Sequence, residues 1–424
     1  MVGNILCMAR MVRVNTVPSP IPASSTLSAG GFGFTCLNYC DIRAATCHLS
    51  LQVVTNIKYF SRLSKNRKGY LLDLLVDFCA DFLGDIFGIL VSSRAMAIFR
   101  ATKLLRTILA KVRKGESMKD NKAAARRSSG KLEAVLKAGH FALTAETAPP
   151  DSADPDAVMA RTGCLKGLAD AVNVLDGPGA QTHLSPLASA AIMVQGGIEP
   201  VLQFTMRDRN RLALEADALG AAALGIHNIL CLTGDSPEAG DQPETKAVFD
   251  LNSAQFIEIT RDMRDQAVYP GGRSIAVPPR LFIGGADAPR KLDADFTPAG
   301  LSAKIDAGAD FFQTQYCFDM GVLRDYMKRM GDFGILERTY FIIGIGPITS
   351  AKSARWMNKN LFGVHIPESL INRLEQAEDA KAEGRRICVE LIEQLREIEG
   401  VSGAHLMAPH GEQAAADVIR ACGV

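Results

Sequence analysis

The sequence predicts a closed (β/α)8 barrel that follows an N-terminal extension of different character. From His140 to the end, about 285 residues, apolar runs of four to seven residues alternate with helical patterns of a dozen or more, and eight such pairs succeed one another. Near-continuous apolar strands are typical of a parallel sheet covered on both faces. Eight strand–helix units in this length fit a closed barrel. The competing fold, a doubly wound open sheet, is disfavoured because no G-x-G-x-x-G motif follows the first strand.

The eight predicted strands are short apolar runs, and helical patterns separate them. We predict strands over Phe141–Ala145, Ala171–Leu175, Pro200–Thr205, Asn228–Thr233, Arg280–Gly284, Phe311–Tyr316, Tyr340–Ile345 and Gly403–Met407. Among the helices between and after them are Asp208–Leu224, Ser253–Gln266 and Glu412–Cys422.

The N-terminal region, residues 1–121, lacks this alternation, and we assign the barrel to residues 122–424. The region opens with a Ser-, Pro- and Gly-rich run, Pro18–Gly33, that indicates loop or disorder. An apolar stretch, Tyr70–Phe99, is long enough to span a bilayer, but a charge at the bilayer centre costs about 2.5–3.5 kcal/mol. The stretch carries four acids at four-residue spacing, which favours an amphipathic helix over a membrane span: Asp73, Asp77, Asp81 and Asp85.

Two alternatives stay open for this extension. Basic residues flank the apolar stretch, so contact with a membrane surface is the minority interpretation. Met118 is an alternative start, since the residues after it look like the approach to an N-terminal helix. We assign the extension no chemistry.

The composition is that of a globular protein. The chain has 424 residues, 47% hydrophobic and 22% charged, with a net charge of +1. Near-neutral charge gives no reason to expect nucleic acid or an anionic membrane as partner. Ten cysteines occur without CxxC or Cys/His ligand spacing, so we predict no metal site and free thiols in a reducing compartment, the cytoplasm.

Polar residues gather where the predicted strands end, which is the face where barrels hold their active sites. Strand one ends at Glu146, just before Pro149 and Pro150, and Glu146 is the best candidate for a general acid. Strand four runs into Thr233-Gly234-Asp235, where a glycine lets the backbone approach a ligand closely. For Asp176 and Asp208 at the ends of strands two and three, a helix cap or a solvated turn is the favoured interpretation.

Further polar or glycine-rich groups end strands three, five and six. They are Gln203-Phe204-Thr205, Gly284-Gly285-Ala286-Asp287 and Gln313-Thr314-Gln315-Tyr316. We expect all of these to converge on one rim of the barrel.

From about Leu132 to the end, the chain resembles the methylenetetrahydrofolate reductase family, flavin-bearing (β/α)8 barrels. The resemblance rests on many motifs in the family's order: Glu146 with Pro149-Pro150, Leu232-Thr233-Gly234-Asp235 with Pro237, Lys304 with Asp306-Ala307-Gly308-Ala309, and Thr314-Gln315-Tyr316-Cys317-Phe318-Asp319. Three further runs are similar to the shorter bacterial branch: Arg207-Asp208-Arg209-Asn210, Gly240-Asp241-Gln242-Pro243 and Gly403-Ala404-His405-Leu406-Met407-Ala408-Pro409.

The resemblance implies an enzyme that interconverts 5,10-methylenetetrahydrofolate and 5-methyltetrahydrofolate by hydride transfer through FAD. Glu146 matches the family's general acid, which protonates the folate nitrogen so that the five-membered ring opens. Asp235 matches an acid beside the flavin that also meets the pterin, and Gln315 matches a folate-binding glutamine. By the same resemblance, the expected FAD-binding positions are Gln203, Thr233, Gly234, Asp235 and Lys304, with Lys304 on the diphosphate.

Three departures concern the surroundings of the cofactor. Leu175 replaces an expected threonine, Ala351 an aromatic of some relatives, and Ala288 a histidine of others. The electron donor, NADH, NADPH or a partner protein, therefore stays open, as does homo-oligomer formation. No regulatory C-terminal domain is expected. The alternatives of another class are a folate-binding methyltransferase barrel and a non-catalytic folate-binding subunit.

Overall fold

A computed structural model describes residues 126–423 as a closed barrel of eight parallel strands. The strands pair in chain order and β1 closes the ring against β8, with Ala142 opposite Gly403. The predicted (β/α)8 barrel is confirmed. The predicted features of residues 1–121 lie outside the described part of the chain, and the proposed boundary at residue 122 stays a prediction.

Eleven α-helices accompany the strands in this part of the chain. The strands are β1 Ala142–Thr147, β2 Ala171–Val174, β3 Pro200–Thr205, β4 Asn228–Leu232, β5 Phe282–Asp287, β6 Phe311–Tyr316, β7 Tyr340–Ile345 and β8 Val401–Leu406. The helices are α1 Lys131–Lys137, α2 Pro155–Thr162, α3 Pro186–Gln195, α4 Arg211–Ala223, α5 Ser253–Gln266, α6 Ala299–Ala307, α7 Met320–Asp332, α8 Ala351–Asn360, α9 Glu368–Gln376, α10 Ala380–Arg396 and α11 Glu412–Ala421. No helix between residues 126 and 423 is long and apolar enough to cross a membrane.

Helix α1 closes the barrel at the amino ends of the strands. Its Leu132 and Leu136 belong to one apolar cluster with inward residues that begin the strands, among them Ala142, Phe282 and Phe311. The α1 backbone is tied to the barrel because Leu132 N donates to the Glu199 carboxylate at 3.1 Å. We call this cluster the lower layer: Leu132, Leu136, Ala142, Ala171, Val201, Leu230, Phe282, Phe311, Tyr340 and Ile342.

Strand β5 differs from the prediction in its bounds. The predicted strand stopped at Gly284, but Gly284 to Asp287 pair with β6 from Phe311 to Thr314. Glycines usually weaken strands, yet here the aromatic rings of β6 fill the space above them. A Cβ at Gly284 would stand 2.5 Å from Phe311 Cζ, and one at Gly285 would stand 2.9 Å from Phe312 Cε1. The two glycines therefore make room for large neighbours inside a regular strand.

Candidate active site

Alternation along the strands directs a second set of residues into the barrel above the lower layer. Successive side chains of a strand point to opposite faces, so Glu146 faces inward like Ala142, Gln203 like Val201, and Gln315 like Phe311. The carboxyl-end half of the interior is therefore polar where the amino-end half is apolar. Part of the predicted rim is therefore present, but Asp287, which was expected there, points away from the interior and accepts a hydrogen bond from Tyr326 Oη on α7 at 2.6 Å.

Glu146 lies at the carboxyl end of β1, within the strand rather than after it. Its side chain is only 11% exposed, and Glu146 Oε2 lies 3.5 Å from His405 Nε2 on the neighbouring strand β8. This separation is just beyond a formed hydrogen bond, so the carboxyl group faces a ring nitrogen without being locked to it. A carboxyl group in this position can exchange a proton with a ligand in the barrel mouth.

His405 belongs to a buried hydrogen-bonded chain of side chains in the barrel interior. We call this chain the upper layer: Thr144, Asn173, Gln313 and His405. Asn173 Nδ2 donates to Gln313 Oε1 at 2.6 Å, and Gln313 Nε2 donates back to Asn173 Oδ1 at 3.0 Å. Gln313 Nε2 also lies 3.3 Å from Thr144 Oγ1 and 3.4 Å from His405 Nδ1. Thr144 Oγ1 and His405 Nδ1 are 3.0 Å apart. Each member is at most 4% exposed.

The upper layer was not predicted from the sequence as a functional unit. Its signal is nevertheless present: a polar residue interrupts an apolar strand at an inward position, as in AVNV and FFQTQY. Buried polar side chains cost free energy unless they are hydrogen-bonded. Four of them in one layer indicate a network, and only the closed ring shows which strands bring them together.

Gln203 and Gln315 lie on β3 and β6 in the same interior. Gln203 is 7% exposed. Gln315 is half-buried, and its Oε1 accepts a hydrogen bond from Tyr316 N at 2.9 Å. That bond orients the Gln315 side chain and leaves its amide nitrogen as a donor toward the mouth.

The residues Thr233, Gly234 and Asp235 form the turn after β4, and both polar side chains are exposed. Gly234 has φ +91°, a conformation that favours glycine, and a Cβ there would stand 3.0 Å from Thr205 Cβ. Arg207 Nη1 donates to the Asp235 carbonyl oxygen at 3.4 Å. The turn is therefore fixed by its backbone, and its Thr and Asp side chains remain open to a ligand.

Lys304 lies on α6, outside the ring of strands, and reaches back to β5. Its Nζ donates to the Ala286 carbonyl oxygen at 2.7 Å. Burial lowers the pKa of Lys304, and the nearby Asp287 carboxylate partly opposes that shift. An ammonium that has lost much of its hydration is a strong partner for an anionic ligand.

Asp176 is not the helix cap or solvated turn expected from the sequence. It is buried and accepts hydrogen bonds from Thr205 N at 2.7 Å and Thr205 Oγ1 at 3.0 Å, and it also pairs with Arg209. Burial raises the pKa of Asp176, and Arg209 opposes that rise. Asp176 thus ties the end of β2 to β3. Asp208, in contrast, lies in an exposed turn as expected and pairs with Arg207 at 2.7 Å.

A cavity of about 320 Å³ opens beside this tie, between the loops that follow β2, β3 and β4. Arg207, His183 and Gln242 are among its lining residues. Ala180, another lining residue, is approached closely by Gly240, because a Cβ there would lie 2.1 Å from the Ala180 carbonyl oxygen. The β2 and β4 loops therefore touch through their backbones.

Comparison with known proteins agrees with the resemblance. The family model described as methylenetetrahydrofolate reductase matches residues 131–423. A probable methylenetetrahydrofolate reductase (NADPH) from Caenorhabditis elegans is 25% identical over 241 residues, 56% of this chain and 34% of that protein. The 5,10-methylenetetrahydrofolate reductase of Salmonella typhimurium is 26% identical over 213 residues, 49% of this chain and 65% of that protein.

These alignments cover only about one third to two thirds of each relative's own length. Among solved structures, a Clostridium thermocellum protein described as binding two copies of 5-methyl-5,6,7,8-tetrahydrofolic acid is similar with a TM-score of 0.49 and 15% identity. The match covers 68% of this chain and 98% of that one. A likeness this distant carries no information on ligands. The family model, in contrast, extends from α1 to α11, and the chain belongs to the methylenetetrahydrofolate reductase family.

Proposed function

We propose that the protein interconverts 5,10-methylenetetrahydrofolate and 5-methyltetrahydrofolate with FAD as cofactor. Family membership supports the reaction, and one observation carries the assignment of its acid. Glu146 is a largely buried carboxyl group at the barrel mouth, with a histidine ring nitrogen 3.5 Å away and a satisfied polar layer behind that histidine. Proton transfer at a folate nitrogen needs a carboxyl group that is shielded but reachable.

The residues around β4 and β5 fit FAD by their chemistry. Gly234 offers a backbone free of a side chain, Thr233 an exposed hydroxyl, and Lys304 a partly desolvated ammonium for a diphosphate. Gln203 adds an amide from the interior. When bound, FAD supplies two-electron chemistry between a reductant and the folate carbon.

In the proposed reduction of methylenetetrahydrofolate, Glu146 gives its proton to the folate nitrogen that leaves the five-membered ring. The ring C–N bond breaks, and the carbon becomes an iminium electrophile. Asp235 accepts hydrogen bonds from the pterin and sets the charge near the flavin. Gln315, oriented by Tyr316 N, donates its amide to the folate.

The electron donor we propose is NADH or NADPH, which the printed name of the Caenorhabditis elegans relative supports, and a partner protein is the alternative donor. We place the reaction in the cytoplasm on the basis of the free thiols at all five cysteines of residues 126–423. A folate-binding methyltransferase is the second candidate function, and it would need cobalamin or a zinc-activated thiolate. In the part of the chain that is described, no three His, Cys, Asp or Glu side chains lie together as metal ligands would.

The test is Glu146→Gln, which keeps size and hydrogen-bonding shape but has no proton to give. Flavin content and flavin reduction by the donor should stay nearly unchanged, and methylene-folate reduction should slow about 10²–10⁴-fold. Glu412→Gln is the matched control. Glu412 is a buried acid that accepts a hydrogen bond at 2.7 Å from Oγ1 of Thr147, the residue after Glu146 on β1. The amide oxygen of the introduced glutamine can still accept that bond.

Three outcomes would contradict the proposal. Equal slowing of both half-reactions would make Glu146 a structural or flavin-positioning residue. An unchanged folate rate would move the acid elsewhere. A folded wild-type protein that neither carries FAD nor binds it on titration would remove the reductase function itself.

A further inference from the structure

We propose that His405 is the positioning residue of Glu146: it presents a proton on Nε2 to the Glu146 carboxyl group and stabilises the carboxylate that forms when Glu146 gives up its proton. The inference rests on the proposed function of Glu146. It adds a residue and a tautomer that the upper layer defines.

The argument begins at the far end of the upper layer, with the two amides. Asn173 and Gln313 bond reciprocally, each giving an N–H to the other's carbonyl oxygen. One Nε2 proton of Gln313 is used in that pair, and the second is left for the groups beyond it. The end that faces Thr144 and His405 is Nε2, which carries two protons and only donates.

The direction of donation then sets the histidine tautomer. His405 Nδ1 lies 3.4 Å from Gln313 Nε2 and 3.0 Å from Thr144 Oγ1. Gln313 Nε2 has no lone pair that could accept a proton from Nδ1. The Thr144 hydroxyl lies closer to Nδ1 than to its other acceptor, the Ala404 carbonyl oxygen at 3.4 Å, so we assign its proton to the bond with Nδ1. With Nδ1 as an acceptor, the single N–H of a neutral His405 imidazole is on Nε2.

His405 Nε2 is the atom that faces Glu146 Oε2, at 3.5 Å. A neutral carboxylic acid is a modest acceptor, and this distance suits a contact that has not yet closed. Once Glu146 becomes a carboxylate, the same N–H can shorten into a charge-assisted hydrogen bond, which is about twice as strong as a neutral one. His405 therefore interacts more strongly after proton transfer than before it, which is how a group assists a reaction step.

The burial of the site enforces this arrangement. The His405 side chain is 4% exposed, so water does not replace its partners. His405 lies on β8, which pairs with β1 so that His405 is opposite Thr144, two residues before Glu146. The histidine is held by the barrel wall and not by a loop, and it can fix the direction in which the Glu146 carboxyl group points.

The decisive comparison uses two amide replacements. In His405→Gln the terminal amide falls near the position of Nε2, whereas in His405→Asn it falls near Nδ1. Both variants remove the ring, but only the glutamine keeps a donor toward Glu146. We expect His405→Asn to slow the folate half-reaction about 10- to 100-fold, the ratio that corresponds to a hydrogen bond to a charged group. His405→Gln should recover at least about tenfold of that loss.

Flavin content, flavin reduction by the donor and the folate dissociation constant should differ little between the two variants. A merely structural role would lower flavin content and the rate of flavin reduction, and it would raise the folate dissociation constant. The matched control is His365→Asn, which removes another ring Nε2 that faces a carboxylate, His365 Nε2 to Asp319 Oδ2 at 4.0 Å on the protein surface, and should leave the folate half-reaction unchanged.

A second measurement does not depend on turnover. Long-range proton–nitrogen NMR spectra of protein labelled with 15N-histidine, with His405 assigned by the signal lost in His405→Gln, should show a protonated Nε2 and an unprotonated Nδ1. A protonated Nδ1, or equal folate rates for the Asn and Gln variants, would overturn the inference while leaving the reductase function standing. Absence of folate turnover in the wild type would overturn the proposed function instead, with the tautomer still measurable.

Discussion

The lower and upper layers of the barrel interior share strands β1, β2 and β6, on which their members are two residues apart, and the two layers differ in polarity and in hydrogen bonding. The lower layer is made of apolar side chains sealed by α1. The upper layer is a chain of amides, a hydroxyl and an imidazole that ends at Glu146. The lower layer stabilises the fold through packing, and the upper layer supports the proposed site. Along a shared strand, the next inward-facing residue is enough to pass from one to the other.

The sharpest way to test that separation is Phe311→Ala in the lower layer. Phe311 is fully buried and stacks on Phe282 with ring centroids 4.8 Å apart. The free energy of unfolding should fall by about 3–5 kcal/mol, measured by urea denaturation. If that variant does not fold, Ile342→Val should cost about 0.5–1.5 kcal/mol instead. Folate turnover per folded molecule should stay near wild type, and a large loss would show that the two layers are not separable.

Asn173→Leu in the upper layer should affect both properties. It leaves the buried Gln313 amide without its reciprocal partner, a loss of about 1–3 kcal/mol in the free energy of unfolding. The Gln313 amide would then be free to turn, and the folate half-reaction should slow while flavin reduction does not. Wild-type folate kinetics in this variant would show that the Asn173–Gln313 pair has no role in the folate half-reaction.

Lys304→Met should weaken FAD binding without lowering the stability of the flavin-free protein. The ammonium is costly to bury, so the flavin-free protein should be no less stable, while FAD affinity should fall about tenfold or more through the loss of a charge-assisted bond. Because burial lowers the pKa of Lys304, the folded protein releases this proton at a lower pH than the unfolded chain does. Wild-type stability should therefore rise with pH between the two pKa values, and the variant should lack that rise. Unchanged FAD titration curves would remove Lys304 from the cofactor site.

Asp235→Asn at the exposed rim should have the smallest effect on stability, within about 0.5 kcal/mol. A negative charge near a flavin disfavours its reduced, anionic form, so removing the charge should raise the flavin potential and alter folate turnover. Potentiometric titration of both proteins checks this. An unchanged potential would put Asp235 away from the ring.

The fold was largely predictable from the sequence, whereas contacts between distant parts of the chain were not. The barrel was predictable because apolar strands and helices alternate regularly, and the bounds of β3, β6 and β7 agree with the prediction. Strand β5 was predicted to end too early, since the fit of Gly284 beneath Phe311 depends on a neighbour 27 residues away. The role of Asp176 was wrong for the same reason, because its partners come from β3.

The rim residues Glu146, Asp235, Lys304 and Gln315 came from the resemblance and the strand ends, and their roles stay predictions. His405 shows the limit of such reasoning. It is one of two polar residues in the closing strand, and only the pairing of β8 with β1 brings it to Glu146. Contacts across 259 residues of chain are a property of the closed ring, not of a local pattern.

The α1 seal has a consequence for the order of folding. Leu132 and Leu136 precede the first strand, yet their cluster includes Tyr340 and Ile342 of β7. The apolar surface that receives α1 is complete only when most of the ring has formed, so we expect this helix to dock late in refolding. Contacts that form after the transition state govern how fast the native state opens rather than how fast it is reached. Weakening the packing of helix α1 should therefore raise the unfolding rate of the barrel and leave its folding rate nearly unchanged.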